Sequence, residues 1–232
     1  MFKSFVKSLL TLMLVLGVAN AATKPFVIKS LHRDNAKPRY TITVNYPVFV
    51  RGDKAKVMNK VVQSQVDKRI STMQTSFQNR GGNGRHQSEF SADVAVLNYT
   101  DGHYSIIWLE TAYFSGAMHP LTRSQILNYN ANLNQPMKLT DLVNASPDFY
   151  SRLSTLCRQS LRQQIKADEK TALIDPQWFN RGTAPNKKNF SIWAFTPQSL
   201  QIVFPEYSIA PYAAGRFVVS VPWSELDDFK LR

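Results

Sequence analysis

The chain's four histidines stand at 32, 86, 103 and 119, and its single cysteine is Cys157. Metal sites draw such ligands from close pairs, at i, i+4 on a helix or in a Cys-x-x-Cys step. No histidine pair has that spacing and Cys157 has no second thiol, so neither a metal site nor an intramolecular disulfide is expected. No cofactor motif is present either. Ser115-Gly116 lies near His119, but no strand-turn-helix elbow surrounds it to activate a serine nucleophile. Glu110 and Glu206 are candidate paired carboxylates for glycoside cleavage, yet nothing in the sequence brings them together. The Gly-rich run at 80–85 follows a helical pattern instead of a strand and lacks the Lys-Ser/Thr step of a phosphate cradle. Enzyme chemistry is therefore unsupported, and the residues left to do work are binding residues.

Those are Tyr113, His119, Tyr207, Pro211 and Tyr212, with Trp223 as a further aromatic. Aromatic rings offer flat apolar faces that can stack on sugars. The segment around His119 and the loop at 207–215 both interrupt apolar strands with Gly, Pro and aromatic residues, and binding groups tend to collect in loops on a rigid scaffold. The two loops are expected to share one ligand-facing region. The rival expectation is that they only shape turns.

Several elements must position them. Residues 22–37 read as a lead-in or an edge strand, and 39–50 alternates Tyr40, Ile42, Val44 and Tyr46 with polar residues as a half-buried strand does. Pro47 suggests that this strand lies at an edge or stops pairing regularly there. Asp53 is a candidate cap for a helix running to about residue 78, with Val57, Val61, Val66, Ile70, Met73 and Phe77 as its apolar stripe. Strands at 88–98 and 103–114 flank Asp101-Gly102, a strong two-residue hairpin signal. A strand at 124–130 and a helical turn at 138–142 follow. Ser146-Pro147-Asp148 then opens a second helix with a cap, a first-turn proline and a carboxylate at the positive end of the helix dipole. Its apolar face carries Phe149, Leu153, Leu156, Cys157, Leu161 and Ile165, so Cys157 should be buried. Arg158, Arg162 and Lys166 line another face, read as a solvated stripe that could meet an anionic polymer. A loop holding Asp175-Pro176 leads to strands at 190–195, 200–204 and 216–221 and a short terminal helix at 222–226. The order lacks βαβ alternation, which predicts an α+β fold with antiparallel sheet, two long helices and two intimately packed subdomains.

The N-terminus points outward. Lys3 and Lys7 precede the apolar run 9–18 and an Ala19-Asn20-Ala21 step, the pattern of a cleaved secretory signal. The run is short for a membrane span, which needs about 20 apolar residues. The organisation expected is a signal peptide at 1–21, a lead-in at 22–37, an N-terminal unit at 38–135 and a C-terminal unit at 136–232. The product would be periplasmic or extracellular and would keep no stable transmembrane segment. Without Lys3 and Lys7, the 28 basic residues fall to 26 against 16 acidic ones, a net charge of +10. That balance favours anionic envelope polymers such as peptidoglycan. Nucleic acid is not an expected partner, since no binding motif is present.

Two segments carry a family resemblance. Gly116-Ala117-Met118-His119-Pro120, ending a strand, and Ile209-Ala210-Pro211-Tyr212-Ala213-Ala214-Gly215, followed by a Val-rich strand and Pro222-Trp223-Ser224-Glu225-Leu226, resemble the RsiV-like/PdaC-accessory domain family. The likeness extends over about residues 38–230. It implies an α+β fold, with members found as the extracellular part of a lysozyme-sensing anti-sigma factor and as an accessory domain beside a peptidoglycan deacetylase. On the expected organisation only the signal sequence precedes the domain and no deacetylase ligand set accompanies it, so the resemblance is expected to reach the domain and not either pathway. Three functions follow as expectations: an exported non-enzymatic binder of peptidoglycan or another envelope polymer, a lysozyme-binding or lysozyme-inhibiting protein, and an envelope hydrolase. A basic chain would repel the strongly basic common lysozymes at long range, which favours the first.

The processing reading predicts cleavage after Ala21. Intact-mass measurement of protein from the envelope fraction should return a chain beginning at Ala22. A species still beginning at Met1 and resisting alkaline extraction from membranes would contradict it.

Overall fold

Alternation and turn chemistry organise the first half of the chain around one large sheet. The computed structural model describes residues 24–80 and 87–231; the signal peptide expected at 1–21, its expected cleavage site and the glycine-rich run at 81–84 lie outside the described residues. Strands β1 (Phe26–Ala36), β2 (Arg39–Phe49), β3 (Ser88–Thr100), β4 (His103–Tyr113), β5 (Leu121–Asn130) and β6 (Gln135–Pro136) form a sheet in that spatial order. Helix α1 (Ala55–Arg80) covers one face. Asp101 and Gly102 take φ of 54° and 74°, the double positive φ of a two-residue hairpin turn. Gly102 is needed there twice over, because a Cβ on it would fall 2.3 Å from the Asn132 amide.

Strand direction departs from expectation. β2 and β3 are parallel over Tyr40–Val44, with α1 as the crossover between them, so the sheet is antiparallel except at one βαβ unit. Pro47 lies past that pairing, in the part of β2 bonded only to β1, so its missing N–H leaves no gap in a central ladder. The segment at 22–37 supplies an 11-residue edge strand. The expected stripe of α1 holds at Val66, Ile70 and Phe77, which are buried; in its first turns Met58 and Val62 take the buried places, with Val57, Val61 and Met73 partly buried beside them. Among the described residues Asp53 makes no capping hydrogen bond to it. The chain turns at Gly52, whose φ is 99°, and the Gly52 carbonyl accepts the Ala55 amide.

The second half builds its own core. Helix α2 (Pro147–Ala167) starts as read: Ser146 Oγ accepts the Phe149 amide at 3.3 Å and Pro147 takes the first turn. Phe149, Leu153, Cys157, Leu161 and Ile165 face strands β7 (Trp193–Phe195), β8 (Ser199–Phe204) and β9 (Phe217–Pro222), an antiparallel sheet. Helix α3 (Pro176–Gly182) replaces the expected loop; Asp175 accepts the Trp178 amide at 2.8 Å and Pro176 opens the turn. The basic stripe of α2 is not simply solvated. Arg158 donates to Thr183 Oγ1 and the Asn180 carbonyl, and Arg162 lies 5.9 Å from the Phe179 ring centroid, so both hold α3. No helix among the described residues is long and apolar enough to cross a membrane.

The two sheets meet through a buried polar bridge. Asn128 on β5 accepts from Ser105 Oγ at 2.7 Å and donates to the Trp193 carbonyl at 2.8 Å, and Ser105 Oγ accepts the Phe195 amide at 3.1 Å.

Cys157 is wholly buried, and burial pushes its thiol up to about 12. The thiolate is tolerated in the unfolded chain from about pH 8.5 but not in the fold. This contribution is therefore present below that pH and lost as pH rises toward 12, by at most about 1.4 kcal/mol per unit. Denaturant unfolding of wild type and Cys157→Ala between pH 7 and 10.5 should show the wild type losing stability faster on the alkaline side. Parallel pH curves would contradict the buried thiol.

Candidate functional site

The segment between β4 and β5 and the loop between β8 and β9 come together, although some 90 residues separate them. Tyr212 Oη donates to the Pro120 carbonyl at 2.9 Å. The rings of His119 and Tyr212 stand 4.5 Å apart, tilted by 32°, and Tyr207 continues the row 5.9 Å beyond Tyr212. His119 Nδ1 lies 3.0 Å from the Pro120 carbonyl. A carbonyl only accepts, so the proton of the neutral imidazole sits on Nδ1 and Nε2 is left as an acceptor. Burial first, then the nearby Glu206 carboxylate and Tyr207, raises the Tyr212 phenol above its ordinary value and keeps it a donor.

Local chemistry holds each side in place. Gly116 turns the first segment at a φ of 84°, and Ser88 Oγ accepts the Ser115 amide. The second loop is braced by α3: Trp178 Nε1 donates to the Tyr207 carbonyl at 3.1 Å. Gly182 lets it approach, because a Cβ there would sit 2.1 Å from the Ser208 carbonyl oxygen. Across the loop base Arg216 Nη2 meets Glu206 Oε1 at 3.4 Å, with both side chains about nine-tenths buried. Arg216 Nε and Nη1 have no partner among the described residues. Pro211 leads into the 3-10 turn Tyr212–Ala214, which presents the Tyr212 ring.

His119, Tyr207 and Met118 are exposed on this surface, Tyr207 at 57% and Met118 at 100%, and Leu121, next to Pro120 in sequence, is 52% exposed. Tyr113 does not join the row. It ends β4 opposite Glu89 and makes no ring contact among the described residues. Trp223 belongs elsewhere, its Nε1 donating to the Thr196 carbonyl under the terminal 3-10 segment.

The catalytic alternatives find other roles for their residues. Glu110 is paired with Arg69 at 2.8 Å against α1, and Glu206 with Arg216. Burial raises the Glu110 carboxyl, opposed by Arg69 and Arg123. Ser115 Oγ is buried with no hydrogen-bond partner among the described residues, so it is not aligned with His119. Among the described residues no three His, Cys, Asp or Glu side chains form a metal-sized group. The arrangement offers a ladder of rings, an imidazole acceptor and a buried ion pair: recognition chemistry. The sequence carried the two loops but not their brace; α3 was legible only in the Asp175-Pro176 cap, and Glu206 with Arg216 gave no signal.

Known proteins resemble the chain at two levels. Residues 140–224 match the model of a family described as protein of unknown function (DUF3298). Over 192 residues, 82% of its length, the chain is 24% identical to the peptidoglycan-N-acetylmuramic acid deacetylase PdaC of Bacillus subtilis (strain 168), spanning 38% of that protein. In structure it resembles a DUF3298 family protein of Pseudomonas aeruginosa PAO1, with a TM-score of 0.59 at 16% identity over 89% of this chain and 95% of that one. A DUF3298 family member from Bacteroides fragilis NCTC 9343 gives 0.58 at 17% identity, over 89% and 94%. The mixed fold of two sheets and packed helices is thus that of solved DUF3298 proteins, and the segment from Thr140 to Ser224 carries the family match.

Proposed function

We propose that the chain is an exported, non-enzymatic binding domain of the bacterial envelope, of the RsiV-like type, that takes the glycan of peptidoglycan on the His119–Tyr212–Tyr207 row. The observation that carries this reading is the row itself: three rings from two distant loops, with Tyr207 open to solvent. Rings held in line by a phenol-to-carbonyl bond and a braced loop present apolar faces at little cost in conformational entropy. Two further facts support it. The net charge of +12 for the whole chain suits an anionic polymer. The relative from Bacillus subtilis is by its name a peptidoglycan deacetylase. The lysozyme and hydrolase readings have no comparable observation behind them.

Two variants separate binding from scaffolding. Tyr207 has a φ of 67°, a conformation that Asn adopts readily, so Tyr207→Asn removes the ring without straining the backbone. Its retention on purified insoluble peptidoglycan should fall at least about fivefold with the melting temperature unchanged. Tyr212→Phe keeps the ring and deletes the bond to Pro120, so it should cost about 1 kcal/mol of stability while retention persists. Full retention by Tyr207→Asn, or capture of lysozyme by wild type in place of peptidoglycan, would overturn the proposal.

A further inference from the structure

At the other end of β4 lies a second recess. β4 spans 11 residues, which at roughly 3.3 Å each puts its Asp101 end about 33 Å from its His119 end. There the β3–β4 turn, the Phe195–Pro197 corner and the C-terminal segment line an open cleft of about 260 Å³. Its lining mixes apolar side chains, Phe195, Pro197 and Trp223 among them, with polar ones; its charged members are Asp101 and Lys230, and His103 lines it too.

Four features order this site. The two opposite charges line one cleft without meeting: Lys230 pairs with Asp227 in an exposed contact, and Asp101 has no side-chain partner among the described residues. An exposed ion pair of this kind is worth about 1 kcal/mol or less, so Lys230 can exchange Asp227 for another carboxylate. The Asp101 carboxylate sits on a rigid mount. Asn132 Nδ2 donates to the Asp101 carbonyl at 3.0 Å, and the Gly102 carbonyl accepts the Ala131 amide at 2.7 Å. The imidazole of His103 is oriented too. Asn130 Oδ1 accepts the Asn132 and Leu133 amides, which fixes its Nδ2 as the donor toward His103 Nε2. The neutral ring therefore carries its proton on Nδ1, as a donor. Trp223 is held by Nε1 on the Thr196 carbonyl and by its amide on the Gln198 carbonyl.

We infer that this cleft binds a small zwitterion, an amino acid or the free end of a short peptide, whose ammonium meets Asp101 and whose carboxylate meets Lys230. A ligand carrying the complementary pair of charges satisfies both groups at once, and a volume of about 260 Å³ is below the range of pockets for larger small molecules. The apolar lining residues Phe195, Pro197 and Trp223 take the ligand's side chain. This site does not depend on the glycan reading of the ring row.

Calorimetric titration with free alanyl-alanine, its N-acetyl derivative and its C-terminal amide tests it on the whole protein. The free dipeptide should bind, and blocking either end should weaken binding at least about tenfold. Asp101→Asn keeps the positive φ of the turn and should bind the free and N-acetyl forms equally. Lys230→Gln, an exposed change, should bind the free acid and the amide equally. Tyr207→Asn should bind the dipeptide as wild type does, even if peptidoglycan retention is lost or was never present. No binding at 10 mM dipeptide (roughly the weakest affinity of interest here) would overturn the inference. Equal binding of all three forms by wild type would overturn it as well, as would unchanged discrimination in both charge variants.

Discussion

The buried bridge of Ser105 and Asn128 decides how everything else is arranged. Ser105 is fully buried and Asn128 is 9% exposed, so neither can fall back on water. The Asn128 amide uses its oxygen on Ser105 and its nitrogen on the Trp193 carbonyl, and Ser105 Oγ takes the Phe195 amide. Two side chains of the large sheet thereby satisfy two backbone groups of β7. Losing one member would strand the others in a dry place, at about 1–3 kcal/mol for each group left unpaired. An apolar seam could slide by a residue; a fully paired polar one allows a single register.

That register sets both ends of β4. At one end it brings the loop after β8 over Pro120, where Tyr212 Oη finds a carbonyl and its ring finds His119. At the other it sets Trp223 and Lys230 beside the β3–β4 turn. The opposite face of the large sheet is held separately. Trp108 is fully buried, with Nε1 on the Asn45 carbonyl, and Arg69 from α1 lies 4.1 Å from its ring centroid while pairing with Glu110. Burial lowers the Arg69 guanidinium and raises Glu110, each opposed by the other, so this pair orients α1 more than it stabilises the fold.

Local signals made much of this legible. The alternation of β2, the Asp101-Gly102 turn and the Ser146-Pro147 cap were readable because each depends on a few adjacent residues. Strand direction was not, since a half-buried strand alternates whether its neighbour runs parallel or antiparallel; hence the βαβ unit at β2–α1–β3 went unforeseen. A cap signal can also sit off the true start, as Asp53 does two residues before Ala55. Long-range polar partners leave no periodic trace. The sequence offered Arg158 as surface charge, whereas Thr183 and Asn180 claim it. Of the five candidate binding residues, His119, Tyr207 and Tyr212 form one row with Pro211 at its edge, and Tyr113 stands apart because strand pairing carries it to Glu89.

If the row of rings built on the seam is the glycan surface proposed for it, soluble glycan must perturb those rings. Chemical-shift mapping of the aromatic side chains during titration with soluble peptidoglycan glycan fragments tests it most directly. His119, Tyr207 and Tyr212 should shift together and saturate at one concentration, while Tyr113 and buried Trp108 stay still. Shifts confined to other residues, or none at saturating fragment, would contradict it.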